Sequence, residues 1–249
     1  MKSLKNLLWL LLLVVACSPP ESGDTISWLG KPVRTDLLRE VANTYHVFDS
    51  TNQKVGSMIF NLSRDGGRWV FQDTSQLDNG SLYETIRMDF NLESAAMERA
   101  DMDIHVQGAK AFIDLQPTQD SLLGTYKVIQ DTIDLVDNQI DSAYAYDVFR
   151  EEVYMLINAT EWAEGDSIGF KMFFPNNLTV LDAALTYEGS ETVTVGAGEF
   201  ETDVVYLNTG GFLDNRIWIS KEKYPRLVKF YVPNAEFRIE LMESRERGE

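Results

Sequence analysis

The side chains able to do chemistry are few in kind and scattered. The 249-residue chain has two histidines, His46 and His105, and a single cysteine, Cys17. Each histidine falls in a stretch that alternates apolar and polar residues. Neither has a second histidine or a cysteine at zinc-ligand spacing. No Gly-x-Ser-x-Gly elbow, phosphate loop or dinucleotide fingerprint occurs. Carboxylates are plentiful, 39 in all, so supply does not exclude a glycosidase pair. Such a pair must stand about 5–10 Å apart in a cleft, and spacing nominates no two. The densest acidic series is Asp131, Asp134, Asp137 and Asp141, with Asn138 among them. It lacks the alternate oxygens and central glycine of an EF-hand. It reads as a solvated loop, with a loose calcium site as the alternative. The expectation is a protein that is not an enzyme, with no cofactor and no metal centre.

Aromatic residues offer a different chemistry, burial of an apolar molecule. Tyr144, Tyr146, Phe149, Tyr154 and Trp162 cluster in one segment, while Trp69, Phe71, Phe173 and Phe174 come from elsewhere. Core packing explains most of them. If the interior is incompletely filled, Phe149, Leu156, Tyr144, Trp162, Trp69 and Phe71 line a pocket of the usual ligand-binding kind. Met155 adds adaptable surface there.

The elements that must position these residues are mostly strands. Period-two alternation runs through Thr44–Phe48, Gly56–Leu62, Trp69 onward and Leu82–Leu92. Asp65-Gly66-Gly67 and Asp78-Asn79-Gly80 are hairpin signals between them. Further strands are expected near 96–106, 109–116 and 121–130, and again at 167–174, 178–187, 191–195, 200–208, 214–220, 226–232 and 236–242. The pattern breaks at Ser142–Thr160, where Ala145, Val148, Phe149, Glu152, Leu156 and Ala159 share a helical face. Asp141 and Ser142 suit its N-cap. A short helix over Thr35–Ala42 has weaker support. A dozen strands cannot lie flat in one open sheet. The fold class expected is mainly β: a large curved antiparallel sheet, half-barrel or open barrel, with one long helix packed on the concave side. No linker divides residues 25–249, which read as a single domain.

The first residues give an address. Lys2 and Lys5 precede an apolar run, Leu7–Val15, that ends at Ala16 before Cys17. This is the layout of a secretory signal, and the run is about half the ~20 residues of a membrane span. Leu13-Val14-Val15-Ala16-Cys17 resembles the bacterial lipobox, which implies removal of residues 1–16 and lipidation of Cys17. Residues 17–24, rich in Ser, Pro and Gly, then form a tether. Ser18, in place of an aspartate, resembles lipoproteins sent on to the outer membrane, so an outer-membrane location is expected. The formal charge is −17, and loss of Lys2 and Lys5 makes the mature chain more acidic still. Phosphate backbones repel such a body, which excludes nucleic acid as a partner.

One stretch carries a family resemblance. Val193-Thr194-Val195-Gly196-Ala197-Gly198-Glu199-Phe200-Glu201-Thr202 is followed by Arg216-Ile217-Trp218-Ile219-Ser220-Lys221 and Tyr224-Pro225-Arg226-Leu227-Val228-Lys229. This resembles the uncharacterised envelope family named domain of unknown function 3108. The resemblance implies a half-barrel similar to periplasmic lipoprotein carriers, and it supplies no catalytic residues. Read from the residues alone, Gly196 and Gly198 permit a bulged turn about Ala197, and Phe200 and Trp218 are core anchors. Two roles follow as expectations. One is a membrane-anchored binding module for a lipid or other apolar or amphiphilic molecule. The other is a structural or adaptor lipoprotein that contacts an envelope protein.

Overall fold

The computed structural model describes residues 25–246, apart from 92, 144, 212 and 213. A hairpin comes first, β1 (Thr25–Trp28) and β2 (Lys31–Arg34). Eight strands then run as a meander: β3 (Val41–Phe48), β4 (Lys54–Asp65), β5 (Arg68–Leu77), β6 (Leu82–Asn91), β7 (Met97–Val106), β8 (Ala109–Pro117), β9 (Leu122–Gln130) and β10 (Ile133–Ser142). The two-residue strand β11 (Val148–Phe149) leads directly into α1 (Arg150–Leu156), which a 3-10 turn over Ile157–Ala159 extends. A second meander follows: β12 (Ser167–Phe174), β13 (Thr179–Val195), β14 (Gly198–Asn208), β15 (Asn215–Ser220), β16 (Leu227–Val232) and β17 (Phe237–Glu246).

Fifteen of these strands form one sheet, in the order β10-β9-β8-β7-β6-β5-β4-β3-β17-β16-β15-β14-β13-β12-β11. The last strand, β17, pairs with β3 and so joins the two meanders. Only the β11–β12 pair is parallel. The hairpin turns fall where their glycines permit. Asp65 pairs with Arg68 across Gly66 and Gly67, whose φ values are 55° and 84°, as a tight turn with two positive-φ positions requires.

The sheet is open but not flat. Strands β9 and β12 lie twelve places apart in the ladder, a separation of more than about 50 Å if the sheet were planar. Yet Tyr126 on β9 donates its hydroxyl to the carbonyl of Asn176, just beyond β12, at 3.3 Å. The sheet therefore doubles back on itself. Along most strands alternate residues point to the buried side, among them Tyr45 and Val47, Phe60 and Leu62, Trp69 and Phe71, Ile86, Met88 and Phe90. With Ile217, Phe230, Ile239 and Leu241 they belong to one hydrophobic cluster that extends back to Trp28 and Val33. Each such side chain, fully buried, contributes about 1.5–3 kcal/mol.

Four expectations are corrected. The helix expected over Ser142–Thr160 is seven residues of α-helix and one 3-10 turn. Val148 and Phe149, whose spacing suits a helix, instead pair with β12, and Phe149 takes an extended backbone at the N-cap position. Asp141 and Ser142 end a strand and cap nothing. The acidic series expected as a loop lies on β10, apart from Asp131 in the turn before it. There Lys127 on β9 meets Asp134 at 3.0 Å and Asp137 at 3.7 Å. The helix expected over Thr35–Ala42 is one 3-10 turn, Thr35–Leu37, and Val41 already begins β3. Finally, the β13–β14 hairpin closes regularly, Val195 opposite Gly198. The bulge expected about Ala197 lies instead between Tyr187 and Gly189.

Candidate functional site

Helix α1 packs against the buried side of the sheet near its middle strands. Tyr154 packs its ring against Phe60 of β4 and Phe230 of β16, with centroids 6.1 and 5.6 Å apart. Beside it lies a cavity of about 220 Å³. Its larger part is apolar, bounded by Val47, Met58, Phe60, Phe230, Phe237 and Ile239. For comparison, a cavity near 150 Å³ accepts benzene. This one can take a ring or a short length of alkyl chain.

The other end of the cavity is charged. Along β5 the inward phase runs Trp69, Phe71, Asp73 and Ser75, so a carboxylate and a hydroxyl occupy positions that the alternation reserves for apolar groups. Glu84 of β6 pairs directly with Ser75 and is equally buried. Arg150, the first residue of α1, approaches Glu84 at 3.5 Å and forms a close ion pair with its neighbour Glu151. The guanidinium also lies over the Phe174 ring at 5.0 Å. Asn176 donates to the second oxygen of Glu84 at 3.3 Å. Ser75 donates to Asp73 at 2.7 Å. Asp73, Ser75, Glu84 and Arg150 all border the cavity.

The electrostatics follow from burial. Loss of water, and then the Glu84 charge, push the Asp73 carboxyl well above the usual carboxylate range. Glu151 is raised as well, first by burial, although Arg150 opposes the shift. Burial works against the charge on Arg150, but Glu151 and Glu84 outweigh it and hold the guanidinium firmly protonated. Burial raises the Tyr154 phenol to about 12. The cluster thus holds three carboxyls against one guanidinium.

The residues singled out in the sequence fall elsewhere. Phe149 is fully buried against Tyr146 and Phe173, at 5.0 and 4.9 Å, and Leu156 is buried too. Trp69 is core, with Arg64 stacked over its ring at 4.5 Å. Phe71 borders a separate void of about 30 Å³, about the volume of one water. Trp162 is half-buried and donates to the Ile157 carbonyl at 3.0 Å. Tyr144 and Cys17 lie outside the described residues. None of the described ones lines the cavity beside Tyr154. The signal that would have found it was the phase of Asp73, Ser75 and Glu84, polar residues in an apolar register.

Other chemistry-bearing groups have ordinary partners. His105 meets Asp103 at 2.8 Å, and His46 packs on Phe48. Ser190, Lys221 and Asp203 meet within hydrogen-bond distance near the β13–β14 hairpin. Asp203 raises the Lys221 ammonium further above the usual lysine range and so holds it protonated. Among the described residues, no group of three or more His, Cys, Asp or Glu side chains is arranged to hold a metal. No helix among them is long and apolar enough to cross a membrane.

A family model for a protein of unknown function, DUF3108, matches residues 54–242. The chain belongs to the DUF3108 family. That span holds nearly all of the cavity wall, from Ser57 on β4 to Ile239 on β17. No curated protein matches this DUF3108 chain. Among solved structures it is similar to the beta-barrel-like protein of domain of unknown function DUF1849 from Brucella abortus. That match has a TM-score of 0.52 and 8% identity, and covers 84% of this chain and 98% of the other. It shows a shared fold. An exported protein of YmcC-like fold from Bacteroides fragilis has a TM-score of 0.33 at 10% identity, over 84% of this chain and 97% of its own. A lipoprotein from Parabacteroides distasonis has 0.31 at 12% identity, over 84% and 96%. Both scores are too low to define a common fold.

Proposed function

We propose that this DUF3108 chain is a non-enzymatic binding protein of the cell envelope that holds an apolar or amphiphilic molecule between its curved sheet and α1. The observation that carries this reading is the cavity beside Tyr154, which none of the described side chains fills. Burial of an apolar ligand there is worth about 25 cal/mol per Å². The charged end supplies the few polar contacts by which such sites fix orientation. In this reading the sheet acts as a half-barrel with α1 on its concave side, and the ligand enters between them. Lipidation at Cys17 anchors the protein, with the outer membrane as its address.

A second reading, an adaptor that contacts another envelope protein, draws support from β10. Ile133 and Leu135 stand exposed on it, at 65% and 54%.

Mass spectrometry of an organic-solvent extract tests the first reading. The probe is the protein from residue 25 onward, purified from a bacterial periplasm. A stoichiometric apolar molecule is expected, and Met58→Trp, which fills the cavity, should lower its occupancy. A wild-type protein that yields an empty extract overturns the binding reading and favours the adaptor.

A further inference from the structure

The charged end of the cavity contains more acid than its own cation can use. Arg150 already faces two carboxylates, Glu84 and Glu151. Asp73 is left with a single hydrogen bond, from the Ser75 hydroxyl. It is 6% exposed and it borders the cavity, and beside it the second carboxyl oxygen of Glu151 is buried with no hydrogen-bond partner among the described residues. The groups that act on it are Glu84 from β6, Arg150, Glu151 and Tyr154 from α1, and Tyr45 from β3. Asp73 and Glu84 occupy diagonal positions on paired strands, since Asp73 pairs with Ile86 and Ser75 with Glu84. Such neighbours stand about 7–8 Å apart, a gap that one small donor can bridge.

An anionic head is a poor fit here, because it would meet three carboxyls and a guanidinium already neutralised. A neutral head would leave the excess acid unanswered. A compact cation with several N–H donors satisfies both carboxyls at once, and charge-assisted bonds of this kind are the strong ones. We propose that the cavity binds an amphiphile through a primary ammonium head seated between Asp73 and Glu84, with its alkyl part along Met58, Phe230 and Ile239. This rests on the cavity reading above and names the ligand class. The ammonium arrives already charged at neutral pH, as a lysine would be. The Asp73 carboxylate is its ion-pair partner, with Glu84 on the other side.

The test uses the full-length lipoprotein in phosphatidylcholine nanodiscs, with empty nanodiscs subtracted. Calorimetry compares hexylamine, hexanol and hexanoate, which share one tail and differ in the head. Hexylamine should bind about tenfold or more tightly than hexanol, with hexanoate weakest. Asp73→Asn should reduce hexylamine to the level of hexanol. Equal affinities for amine and alcohol overturn the ammonium head while the cavity reading stands. Tightest binding of hexanoate overturns it in favour of Arg150 as the receptor. No binding of any of the three removes both. If Asp73→Asn fails to fold, the ratio of hexylamine to hexanol affinity on the wild type decides, and a ratio near one overturns the proposal.

Discussion

The Tyr45 hydroxyl on β3 donates to the backbone carbonyl of Leu227 on β16, 3.0 Å away and 182 residues further along the chain. The ring is fully buried between Phe60 and Phe230, with centroids at 5.3 and 5.8 Å. The phenol therefore reaches past β17, the strand between β3 and β16 in the ladder, and binds the first meander to the second.

Tyr45→Phe keeps the ring and removes this bond, together with the hydroxyl's contact to Asn43. A buried carbonyl left without its donor costs about 1–3 kcal/mol. Urea denaturation should show a loss of that size with an unchanged slope. A loss below about 0.5 kcal/mol would mean that water replaces the hydroxyl.

Glu152 gives the fold a pH dependence of definite sign. Its carboxylate accepts the Phe149 backbone N–H at 2.5 Å, yet burial outweighs that bond and raises the carboxyl to about 8. In the unfolded chain a glutamate titrates near 4.3. The folded state therefore binds the proton more tightly. This contribution is complete below about pH 4 and is lost as pH rises through about 8. Unfolding free energies at pH 5 and pH 8.5 should differ, with the protein less stable at the higher value. Glu152→Gln keeps an acceptor for Phe149 and should reduce the slope. Asp73 and Glu151, also raised, leave a residual slope of the same sign.

Gly124 on β9 marks where the first meander packs tightest. A Cβ built there would lie 1.9 Å from the backbone carbonyl oxygen of Asp114 on β8, and neither strand can yield without breaking its ladder. Gly124→Ala should destabilise the protein by about 2 kcal/mol or more. Amide exchange should localise the damage to β8, β9 and β10, with β14 to β16 still protected. Uniform loss of protection would show that the sheet opens only as a whole.

Much of this architecture is legible in the sequence because strands with one buried face write that face as alternation. Met58, Phe60 and Leu62 on β4 are an example, and the Asp65-Gly66-Gly67 turn beyond them is equally plain. The failures have equally local causes. Strand β10 is exposed on both faces over most of its length, so no apolar period survives to reveal it. Val148 and Phe149 suit the helical spacing of Leu156, but their backbone pairs with Met172 and Phe173, a contact that local spacing cannot express. Phe149, Trp69 and Phe71, proposed as pocket lining, were well suited to packing, and they filled the core. The cavity lies where the alternation carries Asp73, Ser75 and Glu84 inward. An alternation count that scores only apolar residues passes over that phase.

The two ends of the open ladder are protected from growth by different means. At one end β11 is two residues long, and both are buried, so it offers an incoming strand almost nothing to copy. At the other, β10 is ten residues long with Ile133 and Leu135 exposed. Backbone geometry alone would let a second molecule add to it, and then a third. Asp134, Asp137 and Asp141 space negative charge along that same strand, so an identical strand laid beside it would bring carboxylate against carboxylate. Charge on the margin is a known guard against edge-to-edge polymerisation. Here it keeps a sheet that never closes from becoming the seed of a fibre.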